Sequence, residues 1–209
     1  NAAIFNVFGI DNQYQGKYME AIDFYNLVVP IYCKYDEIVR LGYVYQNIGS
    51  TFMDMGKAQS AKEYIQKSIS CYEKVYEKNH SIFGSAYNDL GIANKDLKKL
   101  DEAIKNHEQS LSIKTEHFGA NSLIVGITYY NLSNVYLEKR SFEKAKNYIR
   151  KAIKIYENNP NSGINPPHFI MGAIFEEQGT NLDSALIFYY QDLNLKKTIF
   201  GERHKMVAL

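Results

Sequence analysis

The stretch NDLGIANKDLKKLDEAI, residues 88–104, decides the fold because related stretches lie 42 residues to either side of it. Upstream stands QNIGSTFMDMGKAQSAK, residues 46–62, and downstream stands YNLSNVYLEKRSFEKAK, residues 130–146. Each stretch contains an apolar residue followed by a small one, then a short turn, then an alanine. A fixed period of 20–50 residues is typical of stacked supersecondary units.

Five units share this pattern when they are aligned on the alanine, at intervals of 40, 42, 42 and 40 residues. The alanines are Ala21, Ala61, Ala103, Ala145 and Ala185. The apolar–small pairs are Phe8-Gly9, Ile48-Gly49, Leu90-Gly91, Leu132-Ser133 and Met171-Gly172. The turns are Gly16-Lys17, Gly56-Lys57, Lys98-Lys99, Arg140-Ser141 and Gly179-Thr180. Agreement at several positions in five units makes chance a poor explanation.

Each unit predicts two helices, because its apolar residues recur at helical spacing. Glycine inside a helix costs about 1 kcal/mol relative to alanine, so its repeated use at one phase indicates close approach of two backbones. Stacked helix pairs bury a continuous core and form a right-handed α-α superhelix, here of about five pairs plus the start of a sixth. The predicted helices are 3–15, 17–32, 36–55, 58–78, 80–97, 100–117, 121–139, 142–158, 165–178 and 182–199. Pro30 should kink the second helix or end it early.

Composition excludes several classes of function. The net charge of +1 predicts no binding to nucleic acid or to an anionic membrane surface. No apolar run is long enough to cross a bilayer. Cys33 and Cys71 form no CxxC pair and should pack in the core, so we expect a cytoplasmic protein without metal or cofactor. No catalytic constellation or phosphate loop is present, and the protein is predicted not to be an enzyme.

These residues resemble the tetratricopeptide-repeat family over nearly the whole chain. The 42-residue period and the link pattern of Gly201, His204, Val207 and Ala208 are similar to the kinesin-light-chain subtype. We therefore interpret residues 1–209 as one solenoid cut from a longer protein. Its repeats are approximately 2–35, 36–78, 79–118, 119–160 and 161–200, with a partial repeat at 201–209. An open apolar end near Met206 would allow end-to-end self-association of this piece.

The resemblance implies that the first helices of successive repeats line a groove that binds a protein or peptide segment. In the family, an asparagine before the leucine of the Leu-Gly pair often holds a peptide backbone, and Asn47, Asp89 and Asn131 occupy that position. Ser50 and Asn134 lie on the same face of the first helices, and so do four acidic residues that occupy equivalent positions in successive repeats. The full candidate set is Tyr43, Gln46, Asn47, Ser50, Asp54, Asn88, Asp89, Asp96, Tyr130, Asn131, Asn134, Glu138 and Glu177.

Two interpretations of this face stay open. The four acidic residues, Asp54, Asp96, Glu138 and Glu177, are either an ordinary solvated helix face or an acidic edge that selects a peptide with Lys or Arg. The proline-containing segment 158–169 is either a surface link or a lip that contacts a ligand. Two functions also stay open, namely a non-catalytic protein-binding scaffold and a sensor module that controls a fused effector domain in a bacterial signalling protein.

Overall fold

The computed structural model describes residues 2–162, 166–179 and 181–200, and within these ranges every regular element is a helix. The α-helices are α1 (Ala2–Tyr14), α2 (Tyr18–Lys34), α3 (Ile38–Asp54), α4 (Ala58–Tyr72), α5 (Ile82–Asp96), α6 (Leu100–Phe118), α7 (Leu123–Glu138), α8 (Phe142–Glu157), α9 (His168–Gln178) and α10 (Leu182–Phe200). A 3₁₀ turn, Pro160–Ser162, follows α8. The predicted all-α class and the helix pairs are confirmed.

The chain divides into two compact units, residues 1–113 and 114–209. In the first, here called the N-terminal unit, α1 to α5 and α6 as far as Ile113 pack around two hydrophobic clusters. One cluster centres on Tyr25 and Ile48, and the other on Tyr72 and Phe83. In the second, here called the C-terminal unit, α7 packs on α8 and α9 packs on α10.

The aligned alanines and small residues form the close contacts within the helix pairs. All five alanines are buried, with at most 3% of their surface exposed. A Cβ atom added to Gly49 would lie 3.2 Å from the carbonyl oxygen of Ala61, and one added to Gly172 would lie 3.1 Å from that of Ala185. In the fourth pair, the hydroxyl of Ser133 donates to the carbonyl oxygen of Ala145 at 2.9 Å. The packing interpretation of the repeat is therefore confirmed.

The first residue of every predicted turn has a left-handed backbone. The φ angles are 76° at Gly16, 70° at Gly56, 62° at Lys98, 58° at Arg140 and 67° at Gly179. Two of the five are not glycine, although a side chain makes this conformation unfavourable by roughly 1–2 kcal/mol. The turn geometry is thus set by the tight helix pairing, and it persists where the sequence does not favour it.

Three expectations need correction. Helix α2 does not end early at Pro30 but continues to Lys34. Both Pro30 and Asn26, whose carbonyl loses its helical donor, are exposed, so water can satisfy that oxygen. Cys33 is exposed whereas Cys71 is buried, so only Cys71 packs in the core as expected.

The third correction concerns α4, which ends at Tyr72 and not near residue 78. The chain leaves the helix through a turn in which the Tyr76 ring stacks on His80, with ring centroids 3.9 Å apart. Residues 163–165 of the proline-containing segment and residues 201–209, which carry the link motif and the apolar end, lie outside the described residues. Among the described helices, none is long and apolar enough to cross a membrane.

Candidate functional site

A cleft between α3 and α5 collects five of the candidate residues. Helix α3 supplies Tyr43, Gln46, Asn47 and Ser50, and α5 supplies Ile82, Ser85 and Asp89. Its volume is about 320 Å³. The cleft exists because corresponding faces of α3 and α5, one repeat apart, lie side by side. We call it the α3–α5 cleft.

A second cleft adjoins the first on the other side of α3. Helix α1 lines it with Ala3, Asn6, Val7 and Ile10, and its volume is about 450 Å³. Arg40 and Val44 of α3 and Tyr32 of α2 complete the wall. Tyr43 and Asn47 line both clefts, so the two form one surface across α1, α3 and α5. The α1–α3 cleft offers mainly apolar side chains, whereas the α3–α5 cleft offers amides, hydroxyls and a carboxylate.

Hydrogen bonds between residues one repeat apart fix the polar side chains of the α3–α5 cleft. Gln46 Nε2 donates to Asp89 Oδ2 at 2.7 Å, and the Tyr72 hydroxyl donates to Gln46 Oε1 at 3.1 Å. Tyr72 is buried, which raises its pKa, so it remains a neutral donor. Gln46 is therefore held from both ends, and Asp89 is directed toward α3.

A similar set of side-chain hydrogen bonds joins α1 to α3. Asn47 Nδ2 donates to Asn6 Oδ1 at 3.3 Å, and Gln13 Nε2 donates to Ser50 Oγ at 3.1 Å and to Asp54 Oδ2 at 2.8 Å. A long bond such as that between Asn47 and Asn6 is weaker than the usual 2.9 Å contact. A peptide amide that replaced it would exchange one hydrogen bond for another. The Asn47 amide is thus placed where a ligand backbone could compete for it.

The side chain of Tyr43 offers an aromatic surface at the junction of the two clefts. Tyr43 is 51% exposed, and its ring contacts the buried Tyr72 ring edge-on, with centroids 5.6 Å apart. An aromatic side chain that is fixed by a neighbour loses little entropy on binding, which is typical of interface anchors.

Other candidate residues of the N-terminal unit lie elsewhere. Asn88 is only 7% exposed, because it faces the helix interface and not the cleft. Asp96 pairs with Lys95 at 3.2 Å, and Asp54 accepts the bond from Gln13. Neither carboxylate forms part of the two clefts, and each already has a partner of this chain. These contacts weaken the argument for an acidic edge.

The remaining candidates belong to the C-terminal unit. Tyr130, Asn131, Asn134 and Glu138 lie half-buried on α7. Glu177 at the end of α9 pairs with Arg140 at 3.4 Å, and both side chains are more than half exposed. An exposed pair of this kind is screened by solvent, so it contributes little to stability.

Sequence reasoning missed several residues that line or brace the clefts, among them the polar Asn6, Gln13, Arg40 and Ser85. The signal for two of them was spacing. Asn6 precedes Asn47 by 41 residues and Gln13 precedes Asp54 by 41. The alignment on Phe8-Gly9 pointed to Val7 instead, because the first interval is shorter than the others. Among the described residues, no cluster of three His, Cys, Asp or Glu side chains could hold a metal ion.

Comparison with known proteins places the chain in a family. The sequence profile of the tetratricopeptide repeat matches residues 41–116 and 82–158. Response regulator aspartate phosphatase E of Bacillus subtilis (strain 168) is 24% identical over 170 residues, which cover 78% of this chain and 44% of the relative. Protein KINESIN LIGHT CHAIN-RELATED 3 of Arabidopsis thaliana is 28% identical over 131 residues, covering 57% of this chain and 20% of the relative. The chain thus spans less than half the length of these curated relatives.

A solved structure shares the fold of nearly the whole chain. BtubC (BKLC) from P. vanneervenii superposes with a TM-score of 0.82 at 16% identity, covering 96% of this chain and 82% of that chain. At this identity the likeness shows the fold alone. Together with the profile match over more than half of the residues, it establishes that the chain belongs to the tetratricopeptide repeat family, with repeats like those of kinesin light chains.

Proposed function

We propose that this protein is a non-catalytic interaction module whose N-terminal unit binds an extended protein segment along α1, α3 and α5. The observation that carries the proposal is the shared wall of the two clefts, Tyr43 and Asn47. One segment can therefore occupy both clefts without leaving the surface. Membership of a repeat family built for protein binding supports the same conclusion.

The chemistry of the two clefts defines the segment. An apolar side chain fits against Val7, Ile10 and Val44 in the α1–α3 cleft. Beside it, the α3–α5 cleft is lined by the Asp89 carboxylate and by Ser50 and Ser85, which suits a side chain with hydrogen-bond donors such as Lys or Arg. The preferred segment thus places an apolar residue and a basic residue on either side of Tyr43, while Asn47 contacts the backbone between them.

Selection from a random peptide library displayed on phage, with the intact chain as bait, tests this proposal. Affinities of the selected peptides are then measured for the wild type and for Asn47→Ala, Asp89→Asn and Tyr43→Ala. We expect each variant to weaken binding at least about tenfold, because loss of an anchor residue typically costs about 2 kcal/mol or more and about 1.4 kcal/mol corresponds to tenfold. Gln59→Ala on the exposed face of α4 serves as the matched control and should leave affinity unchanged.

Equal affinity for the wild type and the Asn47→Ala and Tyr43→Ala variants would refute the cleft as the binding surface. If those two variants lose affinity but Asp89→Asn does not, the clefts remain the binding surface, and the preference for a basic residue in the peptide is rejected. Circular dichroism of each variant distinguishes lost contacts from lost folding.

A second function, regulation of an effector domain in a signalling protein, rests on the similarity to response regulator aspartate phosphatase E over 78% of this chain. In that case, binding of a segment to the clefts would alter the activity of the longer protein. The test is to assay the full-length gene product with and without a selected peptide. Unchanged activity at saturating peptide would reject this second function and leave the binding module intact.

A further inference from the structure

The third helix pair lacks an aromatic contact that three other pairs have. Phe52 stacks on Tyr64 in the second pair, Tyr136 on Tyr148 in the fourth and Phe175 on Phe188 in the fifth, with ring centroids 5.5–5.8 Å apart. At the corresponding positions, 42 residues after Phe52 and Tyr64, stand Asn94 and Asn106.

Asn94 and Asn106 replace the ring contact with a hydrogen bond. The Asn94 Nδ2 atom donates to Asn106 Oδ1 at 2.8 Å. Asn94 is 2% exposed, and its Oδ1 atom accepts no hydrogen bond from any described residue. A buried carbonyl oxygen without a donor is unfavourable and is rare in folded proteins. The third pair therefore holds a buried acceptor without a donor, on a residue that lines a pocket.

That space is a pocket of about 260 Å³ between α4 and α6, with α5 as its floor. We call it the amide pocket and define it by Lys62, Gln66, Asn94, Glu102, Lys105, Asn106 and Gln109. Leu90, 8% exposed, adds an apolar patch to the floor beside Asn94. All of these residues belong to the N-terminal unit, and none of them lines the two clefts described above.

The charges of the amide pocket select against a cation. Lys62 Nζ contacts Glu102 Oε2 at 2.9 Å, and the side chain of Lys62 is only 13% exposed. This pair is neutral as a whole, whereas Lys105 adds a second ammonium group. A ligand that enters therefore meets one uncompensated positive charge, an acceptor at the floor, and the donors of Asn106, Gln109 and Lys105 on the walls.

A primary carboxamide matches this arrangement. Its NH₂ group can donate to Asn94 Oδ1, its carbonyl oxygen can accept from Lys105 or Gln109, and the methylenes that carry it can pack on Leu90. We propose that the amide pocket binds a carboxamide side chain, supplied either by a glutamine of a protein partner or by free glutamine. A simple hydroxyl has a single donor hydrogen and a weaker acceptor, and a lysine side chain lacks the acceptor and adds a charge.

Nuclear magnetic resonance titration of the ¹⁵N-labelled chain tests the proposal, with the side-chain amide signals of Asn94 and Asn106 as reporters. The probes are N-acetyl-glutamine methylamide, free L-glutamine, and the blocked derivatives of norleucine, serine and lysine. We expect saturable shifts in the millimolar range for the blocked glutamine. The other three blocked derivatives should bind at least about tenfold more weakly, because a site built to hydrogen-bond an amide rejects analogues that lack it.

The repeat itself supplies the matched variant. Asn94→Phe with Asn106→Tyr installs the ring pair of the second helix pair, so the protein should remain folded while binding is lost. Asn94→Leu is a second variant, of similar size but without the acceptor. In this variant the side-chain amide signal of Asn106 still reports binding. Asn47→Ala in the clefts is the control and should leave the glutamine titration unchanged, which separates this proposal from the proposed function.

Each outcome decides the question. Saturable binding of the blocked glutamine, lost in Asn94→Leu, supports the proposal, and the ratio of blocked to free glutamine then identifies a protein partner or a small molecule as the source. Absence of saturable shifts for both forms of glutamine, equal shifts with the serine derivative, or unchanged binding in Asn94→Leu overturns it.

Discussion

Substitution of Gly49 by alanine should destabilise the protein, although alanine is the better helix former. A Cβ atom at this position would lie 2.7 Å from Ile65 Cγ1 and 3.2 Å from the carbonyl oxygen of Ala61. Carbon atoms in contact are normally 3.5–4.0 Å apart, so relief requires a displacement of roughly 1 Å. Ile65 is fully buried and β-branched, which restricts its rotamers in a helix. The two helices must therefore separate.

The magnitude follows from two opposing contributions. Exchange of glycine for alanine inside a helix stabilises by about 1 kcal/mol. Overpacking of a well-packed core costs about 1–3 kcal/mol, and the backbone contact with Ala61 places this site at the upper end of that range. We therefore expect a net loss of about 1–2 kcal/mol, which lowers the melting temperature of a chain of this size by about 2–4 °C per kcal/mol.

Urea unfolding followed by far-UV circular dichroism measures the change. Gly126→Ala is the matched control, because its added Cβ would lie 3.1 Å from Tyr156 Cε1 and 3.2 Å from a side-chain methyl of Ile155. Small movements of these side chains relieve that contact, so this variant should be near neutral.

Gly49→Ser provides a further check on the same packing argument. It should lose less stability than Gly49→Ala despite its larger side chain, because Ser133 shows that a hydroxyl at this position can donate to the alanine carbonyl. If Gly49→Ala is instead more stable than the wild type by about 1 kcal/mol, the full gain in helix propensity, the two helices do not approach closely enough at Gly49 to exclude a methyl group.

Two further predictions use the same unfolding measurement. Burial raises the pKa of Tyr25 from 10.0 to about 12. The folded state therefore retains the phenolic proton more strongly than the unfolded state, and the resulting stability is present below pH 10 and lost as the pH rises to about 12. Between these values the wild type should lose up to about 2 kcal/mol more than Tyr25→Phe does; parallel pH profiles would contradict this. Pro30→Ala should stabilise α2 by about 2 kcal/mol, because it restores a helical hydrogen bond. An unchanged urea midpoint would show that the helix has already relaxed around the proline.

The fold was predictable because its determinants repeat. Small residues such as Gly49 and Ser133 recur at one phase, and so do alanines such as Ala61, and close packing is the physical reason for both. The buried position of His107 was predictable for the same reason, since it occupies the site of Tyr25 and Ile65 in other pairs and is fully buried. Repetition turns a weak local signal into a strong one.

The surface was harder to predict because it does not follow the period strictly. Asn6 contacts Asn47 across an interval of 41 residues, whereas Gln46 contacts Asp89 across 43. A fixed offset between repeats therefore selects the wrong contact partner at some positions. For Asn47 it selected Val7, whereas the hydrogen-bond partner is Asn6. Asn88 was wrongly expected to line the cleft. Neighbouring residues of a helix point about 100° apart around its axis, so Asn88 faces the helix interface while Asp89 faces the cleft.

The third helix pair departs from its neighbours on both of its faces, and this coincidence favours function over drift. On the face toward α3, Asp89 stands where Asn47 and Asn131 stand in other repeats. On the face toward α4, Asn94 and Asn106 stand where other pairs have stacked rings. Random change in a packed repeat tends to replace one apolar residue by another, since such exchanges cost least. Here two amides stand where other pairs have two rings, and one of these amides has a buried acceptor without a donor among the described residues. Local departures of this kind, where stability is lost without an evident packing gain, are where binding sites are expected.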